Sequence, residues 1–156
     1  MGNQEELRLV QRLEAIKAID IMSRFAITIT EEATISDLAH LLMRFKISGV
    51  PVVHRDGTII GIVTATDLFT MMKKIIAEAA NKIDPQDYLN VKVQEIMTKQ
   101  VSCVNEKTNL FDIMKIMCDA NIHTLPVISS DGIVGIIGRR DVINACYVQT
   151  LPKKSQ

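Results

Sequence analysis

Residues 20–72 read DIMSRFAITITEEATISDLAHLLMRFKISGVPVVHRDGTIIGIVTATDLFTMM, and residues 95–146 read EIMTKQVSCVNEKTNLFDIMKIMCDANIHTLPVISSDGIVGIIGRRDVINAC. The second stretch repeats the first. Met22 matches Met97, Asp37 matches Asp112, Ile47 matches Ile122 and Pro51 matches Pro126, all at an offset of 75. Thr58 has no counterpart, and beyond it the offset is 74, pairing Gly61 with Gly135 and Asp67 with Asp141. An ordered series of matches with a single gap is the signature of an internal duplication.

Working outward, each copy divides by pattern. Ala26–Thr30 and Val101–Val104 alternate apolar and polar residues, which predicts a short strand. A helix follows, capped by Thr34 in one copy and Asn109 in the other, with Asp37 and Asp112 at the third helical position. Ile35, Leu38, Leu41, Leu42 and Phe45 recur at helical spacing, as do Leu110, Ile113, Met114, Met117 and Cys118. Two β-branched runs come next, Val50–His54 with Ile59–Thr64 and Leu125–Ile128 with Ile133–Ile137. Asp-Gly between such runs predicts hairpins. A closing helix begins near Ala65 and near Arg139.

Around the copies, Glu5–Ile19 reads as an amphipathic helix with Leu9, Leu13, Ile16 and Ile19 on one stripe. The expected organisation is an N-terminal helix over 1–19, a first copy over 20–80, a linker over 81–92 broken by Pro85, a second copy over 93–150, and a frayed tail over 151–156. One copy of about 53 residues is marginal alone. The expectation is an α+β globule of two β-α-β-β-α repeats packed with pseudo-twofold symmetry, with clefts related by that axis.

Composition sets bounds on function. The 156 residues carry 18 Lys+Arg and 18 Asp+Glu, so the formal net charge is zero, and long-range attraction to nucleic acid is removed. A 47% hydrophobic and 23% charged content is that of an ordinary globular chain. No apolar run is long enough to span a membrane. The polar, acidic start MGNQEELRLVQRLEA is neither a signal nor a transit peptide, and Glu6 stands where a myristoylation signal wants Ser or Thr. Cys103, Cys118 and Cys146 form no CxxC pair and are odd in number, which favours a reduced, cytoplasmic protein. His40, His54 and His123 are scattered, so no metal site is nominated.

The repeat resembles the CBS domain, named for cystathionine β-synthase, and two tandem copies resemble the unit called a Bateman module. The resemblance is carried by DIM at Asp20–Met22 with EIM at Glu95–Met97, and by SGVPVV at Ser48–Val53 with HTLPVI at His123–Ile128. GIVTATD at Gly61–Asp67 and GIIGRRD at Gly135–Asp141 complete it. It covers Ile19 to Tyr147, and its specificity lies in the order of the pieces, occurring twice. It implies a regulatory module that binds adenine nucleotides (AMP, ADP, ATP or a related adenosyl ligand) in clefts between repeats. No cofactor is required, and the output is expected to pass to a separate protein.

The resemblance also implies the site residues. The closing helix of such repeats carries Ser/Thr-x-x-Asp, matched by Thr64 and Asp67. A carboxylate can accept from both ribose hydroxyls, and a helix N-terminus offers N–H groups to phosphate. Thr-x-x-Asp is equally a capping box, and Thr34–Asp37 shows the same pattern where no ligand is expected. In the second copy Gly138 replaces the hydroxyl residue while Asp141 remains. By resemblance, one cleft joins Thr64 and Asp67 to Ser102, Ile122, His123 and Leu125. The other joins Arg139, Arg140 and Asp141 to Ile27, Ile47, Ser48 and Val50. Ile47 and Ile122 would flank the adenine, or serve only as core. His123 reads either as a phosphate contact or as a loop histidine. Arg139 and Arg140 open a helix, a poor place for cations unless an anion is near.

Other classes are weaker. The run Gly132–Gly138 lacks GxGxxG, and there is no P-loop, GxSxG or HExxH, so no catalytic residue is nominated and the chain is not expected to be an enzyme. An interaction and dimerisation module with vestigial clefts is the alternative to ligand sensing. A homodimer is expected in either case, through Leu68, Phe69, Met72 and Ile76 of one closing helix and Val142, Ile143 and Cys146 of the other.

Overall fold

The computed structural model describes residues 2–80 and 84–150. The expected tail over 151–156 and the first residues of the expected linker, 81–83, lie outside them. Each copy forms a three-stranded sheet. The first has the order β1 (Ile29–Thr30), β2 (Gly49–Val53), β3 (Ile59–Thr64), and the second β4 (Val104–Asn105), β5 (Thr124–Ser129), β6 (Gly132–Gly138). In each, the first pair is parallel and the hairpin antiparallel. The hairpins shift register at the same place, between Val52 and Val53 and between Val127 and Ile128. Their turns need the freedom of glycine: Gly57 has φ 87° and Gly132 φ 107°.

Helices α3 (Ile35–Phe45) and α7 (Leu110–Asp119) follow the first strands, and α4 (Ala65–Ala79) and α8 (Arg139–Thr150) close the copies. Thr34 and Asn109 cap as expected: each accepts from the backbone N–H three residues on, at 3.2 Å from Asp37 and 2.8 Å from Asp112. The first strands are shorter than the expected Ala26–Thr30 and Val101–Val104. Only two residues of each pair with the neighbouring strand, Ile29 and Thr30 on Val52 and Val53, and Val104 and Asn105 on Val127 and Ile128.

The expected helix over Glu5–Ile19 is interrupted. α1 (Gly2–Ala15) stops, and a one-turn α2 (Ala18–Ile21) follows. Between them the backbone turns to another segment: the Ile16 carbonyl accepts from Leu110 N–H and Ala18 N–H donates to the Thr108 carbonyl, both at 2.8 Å. Those bonds replace the intrahelical ladder. The segment read as a linker holds a short helix, α5 (Pro85–Leu89), started by Asp84, whose side chain accepts from Gln86 N–H at 2.9 Å. A one-turn α6 (Val93–Ile96) is the counterpart of α2.

The chain divides into two compact units, one gathering the described residues of Met1–Ala26 and Ser102–Gln156, the other those of Ile27–Val101. We call them the split and the continuous unit. The period of the sequence sets where each copy begins, but the head of each copy joins the sheet of the other. In the split unit Ser23 and Ile136 exchange two backbone bonds, at 2.8 and 2.9 Å; in the continuous unit Thr98 and Ile62 do the same at the same distances. These bonds satisfy an outer strand that would otherwise be an open edge. DIM and EIM thereby acquire physical roles. Asp20 and Glu95 accept from the backbone N–H of Lys17 and Lys92 at 2.8 and 3.0 Å, which starts each turn of helix. Met22 and Met97 then lie against Gly135 and Gly61, where a Cβ would come within 2.5 Å of sulfur.

Each unit has its own core. Leu110, Ile113, Leu125, Val127 and Ile137 fill the split unit together with Leu13 of α1. Leu38, Val50, Val52, Val63 and Val93 fill the continuous one. Each such side chain contributes about 1.5–3 kcal/mol by leaving water. The stripe read on the N-terminal helix holds for Leu9, Leu13 and Ile16, which pack in the split unit's core, while Ile19 is exposed.

Candidate functional site

The two junctions where a hairpin passes into its closing helix carry the residues nominated from the sequence. In the continuous unit, β3 ends at Thr64 beside Gly49, and Ala65 N–H donates to the Ser48 carbonyl at 2.8 Å. That pins the start of α4 to the loop holding Ile47 and Ser48. In the split unit, Arg139 N–H donates to the His123 carbonyl at 3.3 Å and pins α8 to the loop holding Ile122 and His123. Within each unit the middle loop of a copy and its own closing helix are therefore neighbours.

Thr64–Asp67 is a complete capping box. The Asp67 Oδ2 accepts from Thr64 N–H at 2.7 Å and from the Thr64 hydroxyl at 2.8 Å, and Asp67 N–H donates to Thr64 Oγ1 at 3.3 Å. Thr34–Asp37 has the same three bonds. Its surroundings differ, because Asp37 is exposed whereas Asp67 is half-buried. Hydrogen bonds from the Thr34 backbone and side chain hold the Asp37 carboxyl below its ordinary range. At the other junction the hydroxyl is missing, yet Asp141 keeps the backbone half of the box and accepts from Gly138 N–H at 2.8 Å. Among the described residues the other carboxylate oxygens, Oδ1 of Asp67 and of Asp141, accept no hydrogen bond.

The remaining nominated residues fall into three groups. Ser48, Ser102, His123, Arg139 and Arg140 are exposed, and Ile27, Ile47 and Ile122 are half-buried. Val50 and Leu125 have no exposed surface and belong to the cores. Arg139 is held in place: its Nε donates to the Ile122 carbonyl at 3.3 Å and an Nη donates to Asn121 Oδ1 at 2.9 Å. Sequence reasoning missed Asn121. Its signal was its place just past α7, where it takes φ 50°, as Lys46 takes φ 52° past α3.

The helix faces nominated for self-association also separate. Phe69, Met72 and Ile76 on α4 and Ile143 on α8 are exposed, while Val142 is buried, and Leu68 and Cys146 pack in part against their own cores. Burial pushes the Cys103 and Cys146 thiols up from their ordinary range. Among the described residues no three His, Cys, Asp or Glu side chains are grouped so that they could hold a metal ion, and no helix is long and apolar enough to cross a membrane.

The family model for the CBS domain matches this chain twice, over residues 18–74 and 93–147. The chain belongs to the CBS-domain family. An uncharacterized protein of Methanocaldococcus jannaschii is 30% identical over 152 residues, covering 81% of this chain and 88% of the relative. An inosine-5'-monophosphate dehydrogenase of the same organism is 26% identical over 144 residues, and there the match covers 92% of this chain but 26% of the enzyme. CBSX2, solved in complex with AMP, superposes with a TM-score of 0.70 at 23% identity, covering 86% of this chain and 98% of its own. The CBS domain pair of protein MJ0100, solved with 5'-methylthioadenosine and S-adenosyl-L-methionine, gives 0.71 at 24% identity over 86% of this chain and 98% of its own. Both share the fold of this CBS pair.

Proposed function

We infer that the chain is a ligand-sensing regulatory module that binds an adenosine nucleotide, or a related adenosyl ligand, and controls a separate protein. One observation carries the reading. Asp67 and Asp141 each give one oxygen to a backbone N–H and keep the other open, and Asp141 persists where the capping hydroxyl has been lost. The Gly138 N–H bond of Asp141 is itself a helix cap, and the open Oδ1 beside it is an acceptor of the kind that two ribose hydroxyls need. The first-turn N–H groups of α4 and α8 suit phosphate, with Arg140 and His123 as nearby cation and donor. The Thr64 hydroxyl is already committed to Asp67. The half-buried Ile27, Ile47 and Ile122 offer apolar surface to adenine, and the backbone at the exposed Ser48 and Ser102 offers polar groups to its edge. Proteins of the same fold solved with AMP, methylthioadenosine and S-adenosylmethionine support the ligand class.

Thermal melting against AMP, ADP, ATP, S-adenosylmethionine and methylthioadenosine at millimolar concentration tests this. A ligand at about 100 times its Kd adds roughly 2.7 kcal/mol and raises the midpoint by several degrees. Asp67→Ala and Asp141→Ala should each diminish the shift. No shift with any of the five ligands would favour a second reading, an interaction module without a ligand. That reading is supported by α4, a helix of 15 residues with no buried side chain, on which Phe69 is 72% and Ile76 71% exposed. In both readings α4 and the Ile143 face of α8 mediate a homodimer. Sedimentation as a monomer at high concentration would overturn the homodimer.

A further inference from the structure

A cavity of about 600 Å³ lies between α7 and α8 in the split unit, and Arg139 of the β6–α8 junction also lines it. Its walls carry four sulfur side chains. Met114, Met117 and Cys118 come from α7, spaced i, i+3 and i+4, so they share one helix face. Cys146 faces them from α8, its thiol 3.2 Å from the Met114 sulfur. Val142 and Ile143 complete an apolar rim. The corresponding residues of the first copy, Ala39, Leu42, Met43 and Met72, include no thiol, so the arrangement is a property of one copy and not of the repeat.

The geometry points to a site for a soft monovalent metal ion, Cu(I), held by the Cys118 and Cys146 thiolates and the Met114 and Met117 thioethers. Mixed thiolate and thioether sets select Cu(I) among biological metals. A structural zinc would want four thiolate, imidazole or carboxylate ligands, and only two of the four groups here qualify. Binding releases one proton from each thiol to solvent as its sulfur bonds to copper, and the metal remains Cu(I) throughout. Two thiolates and one Cu(I) leave one net negative charge, and Arg139, whose guanidinium bonds Asn121 and the Ile122 carbonyl, lines the same cavity.

The test is an anaerobic titration of the reduced, full chain with Cu(I) against a chromogenic Cu(I) chelator, repeated with redox-inert Ag(I). One ion retained per chain is expected. The double variant Cys118→Ser/Cys146→Ser should bind on the order of 100-fold more weakly, and Met114→Leu about 10-fold more weakly. Cys118 is exposed and Leu replaces Met with little loss of packing, so Cys118→Ser and Met114→Leu remain folded even where the double variant does not. Cys103→Ser should retain the metal as the unaltered chain does. The proposal is overturned by equal loss of metal from the unaltered chain and the cysteine variants. Dependence on Cys103, or one ion shared by two chains, overturns it equally.

Discussion

The junction at Thr64–Asp67 and the junction at Gly138–Asp141 have one backbone and two chemistries. In both, an aspartate accepts from the N–H at the helix cap, at 2.7 and 2.8 Å, and a carbonyl of the preceding loop accepts from the first helical N–H. The first adds a hydroxyl that closes the box. The second has none, and instead places two arginines at the start of its helix, one of them tethered to Asn121 and the Ile122 carbonyl. The comparison teaches that the carboxylate is the invariant of the junction and the hydroxyl an accessory. A cap tolerates losing the two hydroxyl bonds of three, while the position of the carboxylate is set by the backbone in both copies.

The largest break in this likeness is expected at the glycines that receive Met22 and Met97. A Cβ at Gly135 would lie 2.9 Å from the Ser23 carbonyl oxygen, and one at Gly61 would lie 3.1 Å from that of Thr98. Backbone cannot yield as a methionine side chain can. Gly135→Ala should therefore lower stability by about 2–3 kcal/mol, and Gly61→Ala by about half of that. Urea midpoints decide the order, and equal losses would mean the two heads are held alike.

A smaller effect follows from exchanging the hydroxyl. Thr64→Ala should cost about 1 kcal/mol by opening the box. Gly138→Thr should add about 0.5 kcal/mol. The glycine has no left-handed φ, and its added Cβ meets nothing closer than Asp141 at 3.6 Å. If Gly138→Thr also leaves ligand-induced melting shifts unchanged, the hydroxyl is a cap and nothing more.

The smallest effect concerns pH. The folded Asp37 carboxyl titrates below its ordinary range, so its contribution is present above about pH 4 and fades as pH falls through the lower folded value. Asp37→Asn should therefore be slightly less stable than the unaltered chain at pH 7, and the difference should shrink as the pH is lowered below about 4. A difference that persists in acid would point to packing and away from charge.

Much of this was legible in the chain itself. Hairpins were readable because Asp-Gly supplies a positive φ that few other residues accept, and Gly57 and Gly132 take it. Helix starts were readable because Thr34 and Asn109 can satisfy free N–H groups from nearby in sequence. The first strands were overextended because alternation continues through Ala26–Thr28, whereas pairing with β2 begins only at Ile29, opposite Val52. The N-terminal helix was overextended because the Ile16 carbonyl leaves its ladder for Leu110, a partner 94 residues away that no local pattern announces.

The sequence alone determined the duplication, the caps, the turns and the identity of the junction aspartates, since each rests on contacts within a few residues. Only the tertiary structure decided where the heads of the copies go. Met22 and Met97 are conspicuous in the repeat, yet nothing in their own neighbourhood says that each lies against a glycine of the other copy. The tertiary structure also put Val50 and Leu125 wholly inside the cores and tied Arg139 to Asn121. The physical reason is common to all three. Burial and long-range pairing depend on which surfaces meet, and local propensity, capping and turn chemistry specify the elements without specifying their neighbours.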